Sequence, residues 1–161
     1  MVGGDADVLA RVQPVLENIM GKVVHIGPVG AGHAVKSVNN TLLASHIVVA
    51  AGGLTTLVKQ GVPVDKALEA INAASGRSLV TEERIPDHVL SGAFDFGFAM
   101  NLMNKDVGIC IAQLDANQLE HPVLRLVAQQ FAKAEVKYGP NAEHMHVISM
   151  YEEAAGAEVR A

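Results

Sequence analysis

Gly30-Ala31-Gly32-His33-Ala34-Val35-Lys36-Ser37-Val38-Asn39-Asn40 opens the stretch on which the reading of this 161-residue chain turns. It continues, almost wholly apolar, to Val58-Lys59-Gln60-Gly61, with no charged residue between Lys36 and Lys59. Such a run is either the central helix of a domain or a membrane span. Length alone permits a span, which needs about 20 residues. Asn39, Asn40, Ser45, His46, Thr55 and Thr56 argue against one, because a lone spanning helix exposes those groups to lipid. The stretch reads instead as a helix apolar on every face, and therefore buried in the middle of a domain. Gly52-Gly53 costs about 1 kcal/mol per glycine in helix propensity. Close approach of another backbone is expected to offset that. Gly61 and Pro63 stop the helix.

Upstream, Met1-Val2-Gly3-Gly4 reads as a strand end running into a turn. Asp5 caps a helix directed towards Met20, which Pro14 should kink or start late. Lys22 to Gly27 reads as a short strand. This strand–helix–strand unit cannot close a core alone and wants a larger sheet. Downstream the signals are helical: Pro63 to Ala74, part of Leu79 to Leu90, Ala99 to Gln118, Pro122 to Val136 and Glu143 to Ala155. The segment Ser91 to Phe98 is a loop holding three of the four phenylalanines. The main body is therefore all-helical.

Composition narrows the partners. Half the residues are hydrophobic and 18% are charged, which excludes disorder. A net charge of −5 with scattered lysines argues against a nucleic-acid platform. Cys110 is the only cysteine, so a reducing, cytoplasmic setting is the simpler expectation. Met1 to Asp5 lacks the basic and apolar regions of a secretory leader, and no membrane partner is expected.

Several groups could carry chemistry. Gly30-Ala31-Gly32 lies between a strand and a helix, the setting of a dinucleotide turn. However, Val35 occupies the third glycine's place, and the first later acidic residue is Asp65. Lys36 and Asn40 share a helix face one turn apart. A lysine near the start of a buried helix opposes the helix dipole and loses hydration. Its pKa should then fall, towards proton exchange with a substrate hydroxyl. The plainer reading has Lys36 reach the surface while Asn40 bonds a loop carbonyl, and pattern alone favours it. Lys105-Asp106 interrupts an apolar helix and is either an exposed stripe or points into a cleft. His144 and His146 fall on different helix faces, so no metal site is expected there. Cys110 reads as an inert core residue.

Three motifs together resemble one family. Gly30-x-Gly32-x-x-x-Lys36-x-x-x-Asn40 is similar to a motif of the β-hydroxyacid dehydrogenases, which include 3-hydroxyisobutyrate dehydrogenase and tartronate semialdehyde reductase and are related to 6-phosphogluconate dehydrogenase. Phe94-Asp95-Phe96-Gly97-Phe98 followed by Lys105-Asp106 resembles the family's phenylalanine-rich loop and Lys-Asp helix. Met1 to Asp5 resembles the segment just before the lysine motif.

The resemblance implies a mainly α fold, like the C-terminal domain of 6-phosphogluconate dehydrogenase: a helical bundle around one long central helix, after a short Rossmann remnant. Residues 1–29 would be the end of an incomplete dinucleotide-binding domain. Residues 30–161 would be a substrate-binding and dimerisation domain. It implies an NAD(P)-dependent 3-hydroxyacid dehydrogenase acting on a small hydroxyacid, with NAD or NADP held mainly by an absent N-terminal Rossmann domain. Lys36 matches the catalytic lysine and Asn40 a substrate-binding asparagine. Phe98 and Lys105 match groups beside the nicotinamide. The resemblance also implies a homo-oligomer and a chain inactive by itself. A non-catalytic helical interaction module is the alternative, and retention of Lys36, Asn40 and Lys105 together weighs against it.

Overall fold

The computed structural model describes residues 1–161 and begins with a small parallel unit. β1 (Val2–Gly3) pairs with β2 (His25–Gly27) through the crossover helix α1 (Ala6–Leu16). Asp5 caps α1, its carboxylate accepting from the amides of Asp7 and Val8. Pro14 neither delays nor interrupts the start of α1. The helix instead stops early, at Leu16 rather than near Met20, and the Asn18 side chain donates to the Pro14 carbonyl at 2.5 Å. Only the last half of the expected second strand forms, because β1 offers it so short an edge.

α2 (Ala31–Lys59) is the central element, and α5 (Met100–Ala116), α6 (Pro122–Tyr138) and α7 (Val147–Ala155) pack on it. Between them lie α3 (Val64–Asn72), a π-helical turn (Val80–Arg84) and the short α4 (Ile85–His88), which Pro86 opens at its first turn. A 3-10 turn (His144–His146) leads into α7. The core joins Ala44, Ile47, Ala51 and Leu54 of α2 to Met103 and Val107 of α5, Phe131 and Ala134 of α6, and Ile148 of α7. The alanines of α2 let the neighbouring helices approach closely. The expected helical body is thus observed.

Two expectations about α2 are corrected. It is not buried all round, because the other helices cover only one side of it. The opposite face shows Val35, Val38, Leu42 and Val49, which are 38%, 43%, 51% and 70% exposed. The glycine pair also meets no neighbouring backbone. Gly52 faces the Tyr151 ring, 3.8 Å from where a Cβ would sit, and Gly53 borders open space. By length and composition α2 could cross a membrane, yet a third of its most apolar window is buried inside this bundle.

Candidate functional site

The site begins where α2 begins. Gly30 takes a left-handed conformation (φ 94°) and turns the chain from β2 into α2. Gly32 serves contact rather than conformation: a Cβ there would lie 2.9 Å from the Met1 carbonyl oxygen. Gly3 answers from the other side, where a Cβ would fall 2.5 Å from the Pro28 oxygen. The Gly-x-Gly element is therefore a tight joint between β1 and the first turn of α2. No acidic side chain and no side-chain cap offset the positive end of that helix.

From this joint α2 presents Lys36 and Asn40 on one face, and α5 runs against it in the opposite sense. The Asn40 side-chain amide donates to Asp106 Oδ2 at 2.5 Å, and the Lys36 ammonium lies 3.7 Å from the same oxygen. Lys105 Nζ stands 3.2 Å from Asp106 Oδ1. Two turns along α5, Gln113 donates to Ser37 Oγ at 3.1 Å and fixes the register of the two helices. Asp106 is buried, while the lysine side chains that bracket it are 58% and 60% exposed. Two ammonium groups against one carboxylate leave the cluster with a net positive charge. A cleft of about 340 Å³ opens beside it, lined by Met1, Gly32, His33 and Lys36.

The structure thus brings together Lys36, Asn40 and Lys105. Asp106 is the group that sequence reasoning missed as a site residue. The signal was present, since a carboxylate inside an otherwise apolar helix must find partners if it is buried. The desolvation expected at Lys36 is not there: its side chain is more than half exposed and its ammonium sits beside a carboxylate.

Phe98 lies apart from these residues in a second cluster. Its carbonyl accepts from the His144 amide at 2.9 Å and from His144 Nδ1 at 3.1 Å, and its ring meets the His144 ring edge-on at 5.4 Å. Glu143 Oε1 lies 2.5 Å from the same His144 Nδ1, so the carboxylate and the Phe98 carbonyl compete for the one N–H that this nitrogen can carry. His146 turns the other way and stacks on Phe94 at 4.3 Å. At the rim of this cluster His88 bonds Asp95 at 2.8 Å, and that hydrogen bond holds the Asp95 carboxyl below its ordinary value. Cys110 is buried and unpaired.

Known proteins share this arrangement of helices. The chain is 33% identical over 159 residues to a 2-(hydroxymethyl)glutarate dehydrogenase of Eubacterium barkeri, covering 99% of the chain and 53% of that protein. It is 33% identical over 138 residues to a 3-hydroxyisobutyrate dehydrogenase of Pseudomonas aeruginosa, covering 82% of the chain and 46% of the relative. A solved 3-hydroxyisobutyrate dehydrogenase of Mycobacterium tuberculosis, with L-serine, superposes with a TM-score of 0.85 at 30% identity, over 93% of this chain and 53% of that one. The chain therefore spans about half the length of the relatives it matches. Residues 30–151, the joint, both clusters and most of the bundle, match a family model, and the chain belongs to the family described as NAD-binding of NADP-dependent 3-hydroxyisobutyrate dehydrogenase.

Proposed function

We propose that residues 30–161 are the substrate-side helical domain of an NAD(P)-dependent 3-hydroxyacid dehydrogenase, and that residues 1–29 are the end of its dinucleotide-binding domain. The observation that carries this is Asp106 holding Lys36, Asn40 and Lys105 in one electropositive cluster beside an open cleft. The names of the relatives support a small hydroxyacid as substrate and a nicotinamide as cofactor.

When bound, a nicotinamide supplies the acceptor for the hydride leaving the carbinol carbon. The residues of this chain handle the proton and the substrate. Lys36, as the neutral amine, takes the hydroxyl proton as the carbonyl forms. In the reducing direction its ammonium gives that proton back to the developing alkoxide. Asn40 spends one N–H on Asp106, and its other N–H is free to donate to the substrate's carboxylate or hydroxyl. Lys105, anchored on the same carboxylate, adds positive charge for anionic groups entering the cleft. Phe98 is assigned to the cofactor side by family resemblance, and the contacts within this chain place it in the neighbouring cluster. Closure of the dinucleotide-binding domain over Lys36 would remove the water that now reaches it and strengthen each of these interactions.

The β1–α1–β2 unit supports the domain assignment. A two-stranded parallel sheet is too small to stand alone, and α1 with the turn after it leaves Val8, Val12, Val15 and Ile19 exposed for a larger sheet to cover. The exposed face of α2 supports a homo-oligomer built on the helical domain. A cytoplasmic setting belongs to the same reading and rests on the single cysteine of the sequence.

The test is to supply a dinucleotide-binding domain by fusion or co-expression and assay NAD(P)-dependent oxidation of small 3-hydroxyacids. Lys36→Ala should lower turnover by about 10²- to 10⁴-fold with the helical circular dichroism unchanged. Near-wild-type turnover in that variant would overturn the role given to Lys36, and no turnover by the joined wild type would favour a helical interaction module that has lost the chemistry.

A further inference from the structure

The phenylalanine loop, Ser91 to Phe98, is fixed by contacts that the proposed chemistry does not use. Its backbone takes left-handed angles at Gly92 (φ 77°), Phe94 (φ 48°) and Gly97 (φ 86°). Glycine accepts that conformation freely, whereas phenylalanine is strained in it. The amides of Gly92 and Phe94 donate to Val89 and His88 carbonyls, but those of Asp95, Phe96, Gly97 and Phe98 donate to no backbone carbonyl. Beyond those two bonds, the His88–Asp95 bond and the grip of His144 on the Phe98 carbonyl, the loop is held by its rings. Arg84 lies 4.1 Å over the Phe96 ring, and His144 meets both Phe96 and Phe98 edge-on. Phe94 is buried between His146 on one side and the Arg160 guanidinium, 5.1 Å from its centroid, on the other.

Arg160 belongs to the tail that follows α7, and that tail is stitched down residue by residue. The buried Glu152 carboxylate accepts from the Val159 amide at 2.8 Å and from both terminal nitrogens of Arg160, at 2.6 and 3.3 Å. The Val159 side chain is fully buried in the core, and the Ala161 amide donates to the Leu90 carbonyl at 3.3 Å. Gly92 passes beneath the guanidinium, where a Cβ would meet Arg160 Nε at 3.2 Å. A forked cation locked on a buried carboxylate is a rigid support for an aromatic face.

We propose that Arg160 is a positioning residue: gripped by Glu152, it clamps Phe94 in its left-handed conformation and so fixes the loop that carries Phe98 to the start of α5. The clamp itself stands on the contacts above. Its consequence for cofactor binding rests on the reading of Phe98 given under the proposed function.

Amide hydrogen exchange on the 161-residue chain tests the clamp. In Arg160→Ala the Gly92 and Phe94 amides should exchange about tenfold faster or more, while amides in the middle of α2 and α5 keep their rates. Arg160→Lys, which keeps the charge but loses the fork, should restore only part of the protection. In a Phe94→Leu background, Arg160→Ala should add little. Unchanged loop exchange, or equal acceleration throughout the chain, overturns the clamp. In the enzyme joined to its dinucleotide-binding domain, Arg160→Ala should raise the KM for the nicotinamide cofactor several-fold and leave that for the hydroxyacid unchanged. A loosened loop with both KM values unchanged would retain the clamp and remove Phe98 from the cofactor site.

Discussion

Asn40 and Asp106, 66 residues apart in sequence, are joined by a buried 2.5 Å hydrogen bond that ties the first turns of α2 to the middle of α5. The bond decides what Lys36 and Lys105 can do, since both ammonium groups are placed by the carboxylate that Asn40 orients. Removing one partner of a buried bond costs more than the bond itself, because the other is left without water. Asp106→Ala is therefore expected to destabilise the chain by about 1–3 kcal/mol in urea unfolding. Asp106→Asn keeps an acceptor for Asn40 and should cost less, while leaving the two lysines without a counter-charge. Equal stability of Asp106→Ala and the wild type would mean that the bond does not join the helices.

The two kinds of glycine on α2 predict effects of opposite sign. Gly32→Ala places a methyl group 2.9 Å from the Met1 carbonyl oxygen, and backbone on both sides cannot yield cheaply. A loss of about 1–3 kcal/mol follows, with β1 displaced from the start of α2. Gly53 borders open space within an otherwise regular helix. Gly53→Ala should stabilise the chain by about 0.5–1 kcal/mol through helix propensity. Paired thermal unfolding curves check both, and a stabilising Gly32→Ala would contradict the tight joint.

Much of this was legible beforehand. The uncharged run from Val38 to Val58, stopped by Gly61 and Pro63, could form little but one long helix. The α2 motif and Lys105 were read as one constellation, and in the structure Lys36, Asn40 and Lys105 all meet at Asp106. Asp106 was noticed with Lys105 but given no role, because a Lys-Asp pair in an apolar helix looks the same whether it faces solvent or a cleft, and only the packing of α5 on α2 decides between them. The exposure of Val35, Val38, Leu42 and Val49 was hidden for a related reason. Apolar residues on every face state that something covers a helix, without stating whether the cover belongs to the same chain. The Gly-x-Gly spacing could be set aside as a dinucleotide turn from the sequence, but its service as a backbone joint depends on Met1 folding against Gly32, which no spacing announces.

That uncovered face of α2 carries its own prediction. Val49 is 70% exposed and Leu42 51% exposed, so Val49→Glu and Leu42→Glu change the surface without opening a cavity. Surface substitutions of this kind alter stability by about 0.5 kcal/mol or less. If the face joins copies of the chain, sedimentation equilibrium should find the wild type as a dimer or larger and the double variant as a monomer of unchanged helicity. A monomeric wild type at high micromolar concentration would remove the helical domain's exposed face as the basis of assembly.

The last prediction concerns pH and the rim of the phenylalanine loop. The His88 hydrogen bond lowers the Asp95 carboxyl from its ordinary 3.8, against the opposing effect of desolvation. A carboxyl depressed in the folded state favours folding above its ordinary value, and that contribution is lost as pH falls through the lower folded value. The stabilising window therefore lies above about pH 4, and acid rather than base should release Asp95 from His88. The Asp95 carboxyl carbon, followed by NMR from neutral pH downwards, should titrate below 3.8 in the wild type and return upwards in His88→Ala. Because Asp95 is open to solvent, the effect should appear as local loosening of the loop amides, with global unfolding unaffected in the same interval. Identical midpoints in the two proteins would show that the 2.8 Å contact does not persist in solution.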